Sequence, residues 1–304
     1  MRAAVYRSYG DPSVLSVEDV PEPHAGPGTV RIRAAAASVN PVDWKFRAGY
    51  MAEFIPVQFP AIPGNDAAGV VDELGDGVDG VSVGDRIFGT TMLGATAEEV
   101  VLSAWAPIPA ALSVDQAAGA GFAGIGAVRA LDLLGLSRGQ TVLIEGAAGG
   151  VGTIATQVAV ARGLTVIGTA SEVNHDYLRS LGASPTTYGE GLPDRVAQIA
   201  PKGVDGVLDT AGSGSLPDLI TIAGAADHVA TLVDLNAPAA GAILVDATSG
   251  NPSVALREIA NLAAHGQLTI PVSETFPLER IADAHALSQS GHVRGKLVVT
   301  LQDG

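Results

Sequence analysis

The sequence predicts an α/β protein in two parts, an irregular and partly antiparallel β-barrel into which a helix-covered parallel sheet is inserted. Three observations lead there. Over the first hundred or so residues, short β-like runs alternate with turn-formers and long helical periods are missing. From about residue 115 the rhythm becomes strand, helix, strand, in lengths suited to a parallel sheet covered on both faces. KLVVT, at 296–300, is a strong strand near the C-terminus that can return to complete the barrel. Domains are therefore expected at about 1–115 plus 272–304 for the barrel and at 116–271 for the insert.

In chain order, AAVYR, SVEDV, TVRIRAAAASV, DAAGVVDEL, DRIFGT and EEVVL read as strands, cut by PEPHAGPG, GDGVDG and SVGD. DQAAGAGFAGIGAVRALDLLG reads as a helix, TVLIEG as a buried strand, VGTIATQVAVARG as a helix and LTVIGTA as the next strand. NHDYLRSLGA is a helix and GVDGVLDT a strand; HVATLVD, GAILVD and the helical VALREIANLAAHG extend the series. ERIADAHALSQS is the last helix before KLVVT.

Composition removes several functions. The formal charge of −15, from 32 acidic and 17 basic residues without a basic cluster, repels polyphosphate backbones, so nucleic acid is not an expected partner. Cysteine is absent, which excludes disulfides, thiolate nucleophiles and Cys-ligated zinc. MRAAVYRSYG lacks the apolar run of an export signal, and no apolar stretch reaches about 18 residues without polar interruption. A cytoplasmic protein without membrane insertion is expected.

The stretch GAAGGVG at 146–152 carries the chemistry. It lies between a strand and a helix, the setting that gives a G-x-G-x-x-G pattern meaning, with Ala147, Gly149 and Gly152 at the pattern positions and Gly146, Ala148, Gly150 and Val151 completing the turn. Gly149 would admit a diphosphate to the backbone, and Gly152 would let the helix sit close to the strand. Free N–H groups at the helix start supply donors and a positive dipole end. A Walker loop is excluded because no Lys-Ser/Thr pair ends the glycine run. An NAD site places an acid at the tip of the second strand to take the ribose hydroxyls. Here Thr169, Ala170 and Ser171 occupy that tip, with Glu172 one step into the loop. Small hydroxyl residues leave room for a 2′-phosphate, which favours NADPH, and His175 and Arg179 are the nearest cationic candidates. Tyr188 is placed to wall the adenine side.

Taken in order, YGDPSVLSVEDVPEPHAGPGTVRIRAAAASVNPVDWKFRAG, FPAIPGNDAAGVVDELGDGVDGVSVGDRIFG, GQTVLIEGAAGGVGTIATQVAVARG, DGVLDTAG and GKLVV cover most of the chain. Together they resemble the zinc-independent quinone oxidoreductase (zeta-crystallin-like) branch of the medium-chain dehydrogenase/reductase superfamily. The resemblance implies a GroES-like catalytic domain around an inserted Rossmann domain, NADPH as reductant, and a homodimer. It implies that Asn40 sits beside the nicotinamide ribose or the reacting centre and that Asp43 supports that loop. Some relatives have a tyrosine two residues after this aspartate; Lys45 stands there instead, a candidate donor to a reduced oxygen, with Tyr50 five residues further on. Asp209, Ala211, Leu232 and Val233 are expected near the nicotinamide ribose, and Lys296 is expected to reach the same site.

Zinc-dependent relatives carry a Cys near Asn40 and a His within the segment that here reads Gly64-Asn65-Asp66, so no metal is expected. Without a Lewis acid, alcohol oxidation gives way to hydride transfer from NADPH to a quinone or similar conjugated carbonyl acceptor. NADPH-dependent reduction of an enone or enoyl double bond is the enzymatic alternative. A non-catalytic NADPH-binding sensor or structural protein is the other.

Overall fold

In the computed structural model, which describes residues 1–246, 249–291 and 293–301, β1 (Arg2–Val5) and β2 (Ser16–Asp19) pair antiparallel. The alternating run at 29–39 forms β3 (Val30–Val39), followed by α1 (Pro41–Ala48). This helix is too short to show a period in the sequence, yet its ends obey local rules: Pro41 opens it, and Gly49 closes it in the left-handed region at φ 86°. Next come β4 (Asp66–Leu74), β5 (Arg86–Thr90), β6 (Glu99–Leu102), β7 (Ala104–Pro107) and α2 (Val114–Leu134).

The parallel series follows as β8 (Thr141–Glu145), α3 (Gly150–Ala161), β9 (Thr165–Thr169), α4 (His175–Ser180), β10 (Ser184–Thr186), α5 (Leu192–Ile199), β11 (Gly206–Asp209), α6 (Leu216–Ala223), β12 (Val229–Thr231) and β13 (Ile243–Leu244). The chain ends with α7 (Pro252–Ala264), β14 (Val272–Pro277), α8 (Ile281–Ser290) and β15 (Lys296–Thr300).

Strand β3 organises the first sheet. β4 pairs along one edge of it, while β6 takes the first half of the other edge (Val30–Arg33) and β15 the second half (Ala36–Val39). The returning KLVVT strand therefore completes the sheet β14-β15-β3-β4-β5-β7, which is antiparallel except where β14 pairs in parallel with β15. The alanines of β3 permit tight packing; a Cβ at Gly69 of β4 would lie 2.1 Å from the Arg33 carbonyl oxygen.

The second sheet is parallel throughout, in the order β10-β9-β8-β11-β12-β13. Leu143, Ile167, Val207 and Val229 project from it into a core shared with Leu192, Val196 and Leu219. The chain moves from β8 outward to β10, then returns to lay β11 on the other side of β8. Such a reversal opens a crevice at the C-terminal ends of β8 and β11, where ligands of open α/β sheets bind.

The chain divides into two compact units, residues 1–123 with those from 252 on, and residues 124–251. These joins differ from the 115 and 272 that the sequence rhythm suggests, because rhythm does not tell which sheet a helix packs on. The first turns of α2 belong to the barrel: Cβ atoms at Gly119 and Gly121 would meet Lys296 and Asp66, and Gln116 donates to the Ile270 carbonyl. Helix α7 packs on β7. By length and composition α2 is apolar enough to cross a membrane, but 67% of that stretch is buried within the protein, as in a core helix. Residues 302–304, assigned by sequence to the barrel, lie outside the described residues.

Candidate active site

The turn after β8 is held open by its own backbone. Gly146, at φ 75°, leaves the strand in the left-handed region, its N–H donating to Thr169 Oγ1 at 3.1 Å. Ala147 N–H donates to the Thr169 carbonyl and Gly149 N–H to the Gly146 carbonyl, each at 3.0 Å. Ala147 and Ala148 are buried. Gly149 caps α3, and the first intrahelical bond runs from Thr153 N–H to the Gly149 carbonyl. The N–H groups of Gly150, Val151 and Gly152 are thus left without intrahelical acceptors at the positive end of a 12-residue helix.

The glycines divide the work. A Cβ at Gly152 would stand 2.2 Å from the Gly146 carbonyl oxygen, so this glycine serves close packing of turn and helix. A Cβ at Gly149 would meet only that same oxygen, at 3.3 Å. Protein packing therefore asks less of Gly149 than of Gly152, although 3.3 Å from a backbone oxygen is still a tight approach for a methyl group.

Around this turn the structure commits several of the residues marked by sequence. Thr169 is buried and fixes Gly146. Asp209 Oδ1 accepts the N–H groups of Ala211 and Gly212, and its Oδ2 accepts the Thr231 hydroxyl at 2.8 Å, so the carboxylate ties the ends of β11 and β12 together. Leu232 and Val233 follow directly, their N–H groups bonded to Asp209 O and Thr231 Oγ1. Ser171 Oγ accepts from Asn174, His175 Nε2 lies 3.3 Å from the Ala170 carbonyl, and Arg179 is paired with Asp176 at 2.6 Å. Tyr188 is 57% exposed and borders a hollow of about 340 Å³ with Leu192, Ser213, Ser215 and Asp218. Sequence reading missed Glu145 at the floor of this region; its buried carboxyl, pushed up by burial, accepts from the Ser213 and Ser215 hydroxyls.

The first unit holds a second cluster, made of side chains. Asn40 is buried at the start of α1. Its Nδ2 donates to Asp66 Oδ1 at 2.8 Å and to Ser38 Oγ at 3.2 Å, while its Oδ1 accepts from Lys296 Nζ. Its amide is thus occupied inside the protein. Asp66 accepts two further donors, Ser38 Oγ at 2.6 Å and the Phe122 N–H at 2.8 Å. Asp43 accepts the Asn40 N–H at 2.6 Å, half of a capping box, and the Asn65 side-chain amide on its other oxygen.

Burial dominates the electrostatics here. It raises Asp43 to about 7, against the hydrogen bonds from Asn40 and Asn65. It raises Asp66 and lowers Lys296, and the attraction between those two opposes both shifts. Lys296 is only 4% exposed, with its ammonium directed to Asn40. The structure thus brings together Asn40 and Lys296, two residues that the sequence assigns to one site.

The groups that face outward are further along α1. Lys45 Nζ lies 5.9 Å from the Trp44 ring centroid, and Tyr50, 67% exposed, meets that ring edge-on at 5.8 Å. Trp44, itself half-buried, thus has a cationic donor and a phenol beside its ring.

A barrel of this kind joined to a six-stranded parallel sheet with a dinucleotide-type turn defines the medium-chain dehydrogenase/reductase class. Residues 26–173 match the alcohol dehydrogenase GroES-like domain and residues 181–299 the zinc-binding dehydrogenase domain. The chain is 30% identical to the chloroplast envelope quinone oxidoreductase homolog of Arabidopsis thaliana, over 98% of both chains. It superposes on the quinone oxidoreductase from Coxiella burnetii with a TM-score of 0.86, at 31% identity and 99% coverage of both chains. A mycobacterial protein solved in complex with NADPH superposes with a TM-score of 0.84, at 28% identity and 99% coverage of both. The chain belongs to the quinone oxidoreductase branch of the medium-chain dehydrogenase/reductase superfamily and is an NAD(P)H-dependent oxidoreductase.

One of the matching domains is described as zinc-binding, and the donor set of this chain does not fit that ion. Asn40, Asn65 and Asp66 offer one carboxylate and two amides, and the Asn40 amide oxygen already accepts from the Lys296 ammonium. Among the described residues no three His, Cys, Asp or Glu side chains converge as a metal site.

Proposed function

We propose that this protein transfers a hydride from NADPH to a quinone or similar conjugated carbonyl acceptor without a metal ion. The observation that carries this reading is the turn at 146–152, where three N–H groups converge at a helix start and the glycine beneath them is held less tightly by protein packing than Gly152. Val151 and Gly152 would bind the diphosphate, and Gly149 would admit it. NADPH, when bound, supplies the hydride.

The tip of β9 favours NADPH because no carboxylate at 169–171 claims the ribose hydroxyls. With Arg179 already paired to Asp176, the discrimination over NADH rests on Ser171 and His175 and is modest. On the barrel, Lys45 and Tyr50 are the donors free to meet a developing oxyanion, and the Trp44 ring beside them offers a flat acceptor an apolar surface. Asn40 and Asp43 act behind them by fixing the first turn of α1. A conjugated acceptor is already electron-poor, so hydride addition needs no Lewis acid.

Fluorescence titration with NADPH and NADH, followed by turnover with quinones and with enones, tests the reading. The expected result is saturable binding of both cofactors with NADPH tighter, and faster oxidation with quinones than with simple enones. Lys45→Met is expected to lower kcat/KM for quinones while leaving NADPH affinity unchanged. Absence of saturable binding of either cofactor would sink the proposal. Binding with no oxidation by any acceptor would reduce it to a cofactor-binding role.

A further inference from the structure

After α1 the chain runs as a strap over residues 49–59, and a single tyrosine pins both of its ends. At the start, a Cβ at Gly49 would stand 3.1 Å from Cγ of Tyr9, so that ring lies against the glycine. At the far end, the Tyr9 hydroxyl accepts the Val57 N–H at 3.1 Å, and its ring meets that of Phe59 edge-on at 4.9 Å. Turn bonds hold the middle: Ala52 N–H donates to the Gly49 carbonyl at 3.1 Å, and the Phe54 and Ile55 N–H groups donate to the Met51 carbonyl at 3.0 and 2.8 Å. Fixed in this way, the strap leaves large apolar side chains in solvent. Tyr50 and Phe54 are each 67% exposed and Ile55 39%. Elsewhere along the chain exposed large apolar residues stand singly and need no explanation, whereas a run of them on one pinned segment does.

The strap continues the acceptor side of α1, because Tyr50 meets the Trp44 ring at 5.8 Å. A further apolar group is tethered to the same helix. Asn65 donates to Asp43 of α1, while its carbonyl accepts the Thr91 N–H at 2.9 Å and its Oδ1 the Leu93 N–H at 3.5 Å. Leu93 is held at φ 67°, a left-handed conformation that strains a leucine, and strain of this kind gathers at ligand sites. Between these two anchors Met92 is 66% exposed. Charge narrows what can lie here. Glu53 is the one charged residue in the strap, residues 91–94 carry none, and the whole chain is at −15. Such a surface offers nothing to the phosphates of an acyl thioester carrier and suits a neutral, apolar group.

We propose that Phe54, Ile55 and Met92 form an apolar shelf for the tail of the acceptor, so that the substrate class is a quinone bearing an uncharged alkyl or prenyl chain. This rests on the reading that Trp44, Lys45 and Tyr50 receive the quinone ring. The tail touches the shelf equally before and during hydride transfer, so its contribution falls on KM and not on kcat.

Benzoquinones with a methyl or a decyl substituent on the same ring test this on the full chain. Binding is read without cofactor from the quenching of Trp44 fluorescence in a Trp105→Phe background, which leaves one tryptophan, and turnover is read with NADPH. The decyl quinone is expected to half-saturate the quenching at about tenfold lower concentration than the methyl one, the effect of sheltering roughly two methylene groups. Phe54→Ser combined with Ile55→Ser should cut that ratio to about twofold, and Met92→Ser should lower it as well. Val83→Ser, at an exposed valine between β4 and β5, should leave the ratio as it was. A ratio near one before any of these changes, or an undiminished ratio in the double variant, overturns the shelf while quinone turnover stands. Tail-dependent quenching that the double variant loses, with no turnover of any quinone, supports the shelf and sinks the hydride-transfer reading. A changed oligomeric state of the double variant in size-exclusion chromatography, at an undiminished ratio, would make the patch a contact between copies of the chain and overturn the proposal.

Discussion

Residues 146–152 and the cluster around Lys296 are built from different materials. In the turn, only Val151 has a side chain larger than a methyl group, and the groups offered to a ligand are backbone N–H. In the cluster, Ser38, Asn40, Asp43, Asn65, Asp66 and Lys296 meet through their side chains, and the Asn40 to Lys296 bond joins residues 256 apart. A backbone site is written locally and tolerates few side chains. A side-chain site is written across the chain and depends on charge balance. Substitutions in the two regions should therefore fail for different reasons, the first by steric exclusion and the second by stranding a charge.

The largest effect is expected in the cluster. Lys296→Met leaves Asp66 buried with its hydrogen bonds but without the neighbouring positive charge, and breaking a buried pair in this way costs about 3–5 kcal/mol. Adding Asp66→Asn to the same chain should recover part of that loss. Denaturant unfolding of the single and double variants checks this, and equal instability of the two would show that packing and not charge is decisive.

In the turn, the corresponding change is Gly152→Ala. Its methyl group would fall 2.2 Å from the Gly146 oxygen and 2.7 Å from the Ala147 Cα, both backbone atoms that cannot swing aside. Overpacking of this kind costs about 1–3 kcal/mol. Displacement of the turn should also abolish NADPH binding, so a calorimetric titration and a melting curve should change together.

This contrast also explains how far the sequence could be read. The strand, turn and helix at 141–161 were legible because their signal is contiguous, and the return of KLVVT to β3 was legible from its strand character. Helix α1 was hidden by its eight residues, although Pro41 and Gly49 mark its ends. The joins at 123 and 252 were hidden because α2 and α7 look the same in sequence whichever sheet they cover. Asn40 was legible as a residue of interest but not as an internally occupied amide, and Asp66 at the head of an apolar strand resembles an ordinary turn acid. Lys296 was expected at this site through the family resemblance alone, since nothing beside Asn40 or Asp66 in the sequence announces it. Glu145 was obscured for the opposite reason, since its position at a strand end beside glycines drew attention to the backbone.

The cluster should also be the part of the molecule that senses pH. Asp43 is raised from 3.8 to about 7, chiefly by burial, so the folded state holds its proton more tightly than the unfolded chain. Its contribution to stability is fully present below about pH 4 and is lost as pH rises through about 7. Asp43→Asn keeps a neutral group there at every pH. Unfolding midpoints measured across that window should fall with rising pH in the wild type and fall less in the variant; parallel curves would assign the pH dependence elsewhere.

The finest test separates what the turn needs for folding from what it needs for a ligand. Gly149 has φ −74° and ψ 177°, a conformation open to alanine, and its added methyl group would meet only the Gly146 oxygen, at 3.3 Å. Gly149→Ala should therefore cost much less stability than Gly152→Ala, since that oxygen has to give by only a few tenths of an ångström. The same methyl group would stand in the path by which a diphosphate approaches the N–H groups of Val151 and Gly152. NADPH affinity should weaken about tenfold, roughly 1.4 kcal/mol, with the melting curve moved far less than in Gly152→Ala. Loss of stability alongside affinity would make Gly149 a packing residue like Gly152, and unchanged affinity would place the diphosphate away from this turn.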